Sequence, residues 1–537
     1  MKKNLIVFFM LLFPLLATAQ YRNEPTDYLS SEFHKERREE LRKKLPDNSV
    51  AVFFANAVRN RANDVDYVYH PDPDLFYLTG YREPNSVLLV FSEPIEMPDG
   101  AKYNELFFVQ PRDERSELWN GERLGVERVK ERLGMDNVFP NLAFEGFGVD
   151  FGQFNQVLLY GFKDDVRDNP HDQGDLFSLI EQFKDKAHYP KFLNEYSEKL
   201  YTLIETADVE SSANVSKVIG REMSSKPLLK LNPVLVDFVK ADTPEGKLSV
   251  ASKIPSTNIN LTKLHEIMGS LREVKTAEEM VLLTKAVKVS AVGQREVMKA
   301  IKPGMSEREI QGIHEFVFKK YNAEDIGYAS IVGAGHNGCV LHYIANNKSN
   351  TEDGELILMD LGAQYRGYTA DVTRTVPVNG EFSPEQKAIY DLVYKAQEAG
   401  IEACRKGNDF SATYVACAKV IEEGLLKLGI IEEGEGIKAY LPHGVSHHIG
   451  LDVHDKGNYG SMMPNMVITV EPGIYIPENS KCDPKWWGIA VRIEDDILIT
   501  EKDPVNLSGD APRQWQEIEK LMKEESPLDD FVLPTVD

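Results

Sequence analysis

Four of the chain's 12 histidines, His443, His447, His448 and His454, fall within the stretch PHGVSHHIGLDVHD, residues 442–455. Imidazole is both a common metal ligand and the side chain that changes charge nearest neutral pH, so this density asks for a metal site or a catalytic cluster. Two arrangements fail on inspection. His443 and His447 have the four-residue spacing of a zincin pair, but Gly444 stands where a glutamate should follow, and Gly450 argues against a helix. In GVSHH, His448 occupies the place of the second glycine of a nucleophile elbow, which leaves Ser446 a structural residue.

The acids are more informative. Asp360 ends the apolar run ELILMD, and Asp371 lies in the next strand beyond a short turn through Gly362 and Gly367, so a hairpin would bring the two carboxylates together. Glu471, in VITVEPG, shares a strand face with Val467 and Thr469. Glu494 shares one with Arg492, while Ile493 points the other way. Singly, each acid could be an edge-strand charge or half of a salt bridge. Burying acids at strand positions without a cation is costly, and the four together with His447 make an oxygen-rich site for two hard or borderline divalent ions the economical reading.

The elements that must position these groups are readable in outline. Residues 48–160 alternate short apolar runs, SVAVFF, SVLLVF, ELFFV and QVLLYGF, with charged helical segments such as DERSELWNGERLGVERVKERLG, the pattern of an α/β domain. A poorer stretch, 161–262, holds helical LNEYSEKLYTLIETA and closes with KIPSTNINLTK. Beyond it, Thr276 with Glu279, Ser306 with Glu309, and Ser383 with Gln386 after which Pro384 opens the helix, read as capping boxes. The strand-like segments ELILMDLG, YTADVTRTVPV, MVITVEPGIYI and GIAVRIEDDILIT follow or intervene, predicting long helices around an antiparallel sheet. GAGHNG, residues 333–338, matches a dinucleotide-binding fingerprint, but the β-like CVLHYIANN after it predicts a tight strand-to-strand turn instead.

The series MDLGAQYRGYTADVTRT, HGVSHHIGLDVHD, TVEPGIYI and VRIEDDILIT closely resembles the aminopeptidase P branch of the pita-bread metallopeptidases. DLFYLTGYREPNSVLLV and RDERSELWNGERLG resemble that branch's amino-terminal domain. Residues 1–19 read as a signal peptide and 526–537 as a loosely ordered tail, and the resemblance implies an α/β domain over 20–262 and an α+β pita-bread catalytic domain over 263–525. It implies that Asp360 binds one ion, that Asp371 and Glu494 bridge two, and that His447 and Glu471 complete the second. Hydroxide supplied between the ions would attack the carbonyl before proline, with Glu471 relaying its proton. His342 and His454 would contact substrate, His443 would line the proline subsite, Arg492 would hold an acidic partner behind the site, and His448 would pack. Manganese suits these ligands, and zinc, cobalt or iron are compatible with them. The expected substrates are peptides with proline second, and the expected assembly is a homo-oligomer, a dimer or tetramer.

Composition narrows the setting. Lys2 and Lys3, the apolar stretch Leu5 to Leu16 and Ala17-Thr18-Ala19 form the three parts of a secretory signal peptide, predicting an exported, periplasmic or secreted protein. No later segment is apolar enough to span a membrane. The formal charge of -24 disfavours nucleic acid as a partner. Four cysteines, Cys339, Cys404, Cys417 and Cys482, are too few for a disulfide scaffold and are expected as free thiols.

Overall fold

The strand Ser49–Phe54 alternates its side chains between two separate cores, and this alternation sets the plan of the molecule. The computed structural model describes residues 25–97 and 100–529. In it, Ser49–Phe54 lies antiparallel to Val87–Glu96 and parallel to Gln156–Leu158. Lys102–Val109 and Val138–Pro140 extend one side of this six-stranded mixed sheet, and Ile259–Asn260 closes the other.

Val50, Val52, Leu89, Leu106 and Phe108 face one core, which is completed by Leu179, Phe183, Leu200, Ile219 and Phe238. The weakly patterned stretch 161–262 is therefore a helical layer, Leu176–Lys186 through Pro244–Ser249, covering one sheet face before its last residues rejoin the sheet. Ala51, Phe53, Leu88, Val90 and Phe107 point to the opposite core, which runs on without a break into the second half of the chain. The period-2 side-chain alternation lets one sheet serve both.

The second half is built on two helix pairs, Ala277–Ala300 with Glu307–Lys320 and Pro384–Ala403 with Ala412–Lys427. Thr276/Glu279 and Ser383/Gln386 are reciprocal capping boxes as expected. Ser306 caps Glu309 N–H in one direction only. The strands form small antiparallel sheets: Leu356–Leu361 between Ile331–Ala334 and Val372–Pro377, Val467–Val470 against Asp495–Leu498, and Gly473–Ile476 against Ile489–Arg492. An α/β domain followed by an α+β domain is thus the observed architecture.

Two local expectations change. Residues 335–339 form a 3-10 turn and CVLHYIANN contains no strand, so GAGHNG is not a strand-to-strand connection. Gly335, at φ +54°, makes the turn in a conformation that favours glycine. In the expected tail, Ser526 is buried and Asp529 pairs with Lys302 at 2.5 Å, so residues 526–529 are docked. The expected signal peptide, 1–19, and residues 530–537 lie outside the described residues. Among those described, no helix is long and apolar enough to cross a membrane, and all four cysteines are free.

Candidate metal centre and active site

Asp360 and Asp371 are brought together by a tight hairpin. Arg366 (φ +51°) and Gly367 (φ +90°) form its two-residue tip between Tyr365 and Tyr368, the positive angles that match hairpin twist. Nearer the site, the two strands come into close contact: a Cβ at Gly362 would fall on the Ala370 carbonyl oxygen. From the helix Ala277–Ala300, Gln294 Nε2 donates to Met359 O at 3.0 Å and Val372 O at 2.8 Å, pinning both strands beside the acids.

Three of the four acids occupy breaks between strands. Asp371 falls between Tyr368–Thr369 and Val372–Pro377, Glu471 just past Val467–Val470, and Glu494 between Ile489–Arg492 and Asp495–Leu498. The breaks are held by other hydrogen bonds: Asp371 N–H donates to Asp496 Oδ2 (3.1 Å), Glu471 N–H to Val445 O (2.9 Å) and Glu494 N–H to Thr373 O (3.2 Å). These contacts tie the hairpin, the His447 loop and the C-terminal strands into one site.

The expected residues converge. Asp360, Asp371, His447, Glu471 and Glu494 line one cavity of about 660 Å³ together with His342, His443, His454 and Arg492. Ligand atoms of Asp371, His447 and Glu494 lie within 4.8 Å of one another. Asp360 is turned partly aside: Oδ2 accepts from Arg492 Nη2 at 2.6 Å, the acidic partner expected of Arg492. Glu471 Oε1 lies 3.5 Å from His447 Nε2, while Oε2 faces His443 Nδ1 at 3.7 Å.

This donor set fits divalent cations on its own chemistry. Burial pushes the Asp371 and Glu494 carboxyls well above the carboxylate range, and the neighbouring acids push them further. Glu471 is also raised by burial, with His447 and Arg492 opposing. His447 Nδ1 donates to its neighbour's carbonyl, His448 O, at 3.0 Å, which leaves Nε2 as the nitrogen open to a metal ion, facing Asp371 Oδ2 and Glu471 Oε1, both 3.5 Å away. Acceptors facing acceptors across such gaps are the arrangement that cations would satisfy.

The other histidines differ in character. His443 Nε2 is 2.9 Å from the Tyr475 hydroxyl, which accepts from Arg492 Nη1 at 2.9 Å. His443 Nδ1 is 2.5 Å from Gly444 O. The chain of donors runs Arg492 to Tyr475 to His443 Nε2, so Nδ1 carries the proton and both nitrogens are engaged. Burial lowers this ring's pKa to about 4. His443 can form a wall but has no free proton to give. His454 stacks on His447 with centroids 4.0 Å apart, and burial followed by its histidine neighbours lowers it to about 4. His342 is exposed at the rim. His448 packs against Phe410 and Tyr459, away from the cavity.

Sequence reasoning missed Tyr328, Thr373 and Tyr475. The Tyr328 hydroxyl lies 2.6 Å from Oδ1 of both Asp360 and Asp371, and its single proton serves one of them at a time. Thr373, two residues from Asp371, had a positional signal; Tyr328 had none.

The profile of Metallopeptidase family M24 matches residues 281–501, and that of the Aminopeptidase P N-terminal domain matches 34–149. The Xaa-Pro aminopeptidase of Escherichia coli (strain K12) is 30% identical, with 92% of this chain and 98% of that protein covered. The Xaa-Pro aminopeptidase of Haemophilus influenzae is 31% identical over the same shares. A solved structure of zinc-substituted E. coli aminopeptidase P in complex with product superimposes with a TM-score of 0.70 at 29% identity, covering 92% of this chain and 98% of that one. On these likenesses and on the domain order found here, the chain belongs to metallopeptidase family M24, in its aminopeptidase P branch.

Proposed function

We propose that this protein is a metal-dependent aminopeptidase that releases the amino-terminal residue from peptides whose second residue is proline. The observation that carries the reading is the convergence of four acids and His447 on one cavity, beside three further histidines, in a chain that spans nearly all of its Xaa-Pro aminopeptidase relatives.

Asp360, Asp371, His447, Glu471 and Glu494 would hold the divalent ions, and Asp371, His447 and Glu494 are the three whose ligand atoms lie within 4.8 Å of one another. Manganese is the ion favoured by so many carboxylates. Bound ions would supply Lewis acidity to the attacking water and the scissile carbonyl. Glu471 Oε2, turned toward the cavity, is placed to take the water's proton. His454 and His342 are the candidates to donate to the carbonyl oxygen as charge develops on it. Proline removes the N–H of the scissile bond and presents a rigid ring, and the His443 face, locked by Tyr475, provides a flat wall for it. Arg492 holds Asp360 and Tyr475 at once, coupling the metal side of the cavity to the proline side.

The leader-like residues 1–19 support export to the periplasm or beyond. Leu118 and Trp119, 82% and 81% exposed on the amino-terminal domain, support self-association.

Incubating X-Pro-Y-Z, its N-acetylated form, X-Ala-Y-Z and the dipeptide X-Pro with manganese-loaded protein tests the activity. Release of X from the first peptide alone, or far faster than from the others, is expected. Equal cleavage of the alanine peptide would remove the proline preference, cleavage of the acetylated one would remove the aminopeptidase assignment, and cleavage of the dipeptide alone would make the protein a prolidase.

A further inference from the structure

The segment Asp452–Lys456 carries His454 to the cavity, and the charges around it are anchored in the amino-terminal domain. Among the described residues His454 makes no hydrogen bond of its own and touches the site through its stack on His447. Its neighbours are tightly held. Asp452 Oδ2 accepts from Arg272 Nη2 at 3.0 Å, Asp455 Oδ1 accepts from the same nitrogen, and Asp455 Oδ2 accepts from Lys275 Nζ at 2.9 Å. Arg272 Nη1 reaches Asp74 Oδ1 at 2.7 Å, and Asp74 belongs to the helix Pro73–Thr79 of the amino-terminal domain.

The other oxygen of Asp74 accepts from Lys456 Nζ and, at 2.6 Å, from the Tyr160 hydroxyl. The Lys456 ammonium also sits 3.6 Å from the centroid of the Tyr160 ring. Three carboxylates thus meet three cations across the domain boundary, and Asp74, Arg272, Lys275 and Asp455 are almost wholly buried. Buried ion pairs contribute little net stability against well-packed apolar replacements, but their directional hydrogen bonds fix geometry.

We propose that Lys456 is a positioning residue for the reaction: through Asp74 it locks the His454 segment onto the amino-terminal domain and so sets the placement of His454 over His447. The inference rests on the reading of His454 as a group that touches the reacting carbonyl. Lys456 is also the one accessible cation of the cluster, its side chain 28% exposed against 1% for Arg272 and 0% for Lys275, so neutralising it leaves the buried pairs in place.

The test uses the full manganese-loaded protein. Lys456→Met should lower kcat on an Xaa-Pro tripeptide about tenfold, because small misplacements of a catalytic group are costly. KM, the thermal midpoint and the metal content per chain should stay close to those of the parent, and Lys456→Arg should restore most of kcat. The near-isosteric Asp74→Asn should show the same split between kcat and KM. Unchanged turnover in K456M, a loss that tracks metal content or KM, failure of the arginine variant to rescue, or an unaffected D74N would each overturn the proposal. A parent protein that does not cleave Xaa-Pro peptides would remove the functional reading itself, whereas a parent and K456M that cleave them equally would remove only the role of Lys456.

Discussion

Thr373 donates its hydroxyl to Oε2 of Glu494 at 2.5 Å, and the same hydroxyl accepts from Arg492 Nε at 3.3 Å. One threonine therefore orients a carboxylate of the metal centre and connects it to the arginine that also holds Asp360. Thr373→Val keeps the shape and removes both contacts. Loss of such an outer partner is expected to weaken metal binding by about 10–100-fold. Titration of the metal-free variant with manganese, followed by calorimetry, should show that weakening while the folded state persists; unchanged affinity would place Thr373 outside the metal centre's support.

Asp371→Ala or Glu494→Ala should remove metal binding and turnover together. Each deletion takes away an anionic ligand from the proposed metal centre, leaving the charge of the ions under-compensated. Metal analysis and peptide hydrolysis on the same preparation check this, and two retained ions with normal turnover would refute the ligand assignment.

His454→Ala should behave differently, keeping its metals while losing turnover by about 10²–10³-fold, the size typical of a removed oxyanion donor. The ring nitrogens of His454 are not engaged in the site, so no ligand is lost. A fall in metal content would instead make His454 a ligand.

Acid sensitivity should be traceable in part to His34. Burial lowers this ring's pKa to about 4, and its Nδ1 bonds the Tyr77 carbonyl oxygen at 2.9 Å, outside the lining of the metal-centre cavity. The unfolded chain takes up this proton near 6.5, the ordinary value for histidine, before the folded one does. Stability contributed by the neutral ring is therefore complete above 6.5 and is lost as pH falls toward 4. The slope from this one group is about 1.4 kcal/mol per pH unit. Denaturant unfolding of parent and His34→Asn, which keeps a donor for Tyr77 O, should diverge in slope between pH 6.5 and 4; parallel curves would show that His34 does not contribute.

The sequence by itself determined the residues that could do the chemistry and the elements that carry them. Asp360 at the end of an apolar run, the glycines at 362 and 367, and the acids set among β-formers could be read because strand alternation and turn chemistry are local properties of the backbone. The capping side chains at Thr276 and Ser383 were legible for the same reason. Tertiary structure decided what depends on contacts between segments distant in the chain. Asp371, Glu471 and Glu494 sit in strand breaks closed by bonds to Asp496, Val445 and Thr373, not in regular strands as periodicity suggested. Tyr328 and Tyr475 became part of the site only when folding brought their hydroxyls to Asp360, Asp371, Arg492 and His443. The stretch 161–262 lacked a strong pattern because its helices bury one side against a sheet whose strands lie elsewhere in the chain. The Lys456 to Asp74 contact spans 382 positions, and charges paired over that distance leave no signature in local spacing.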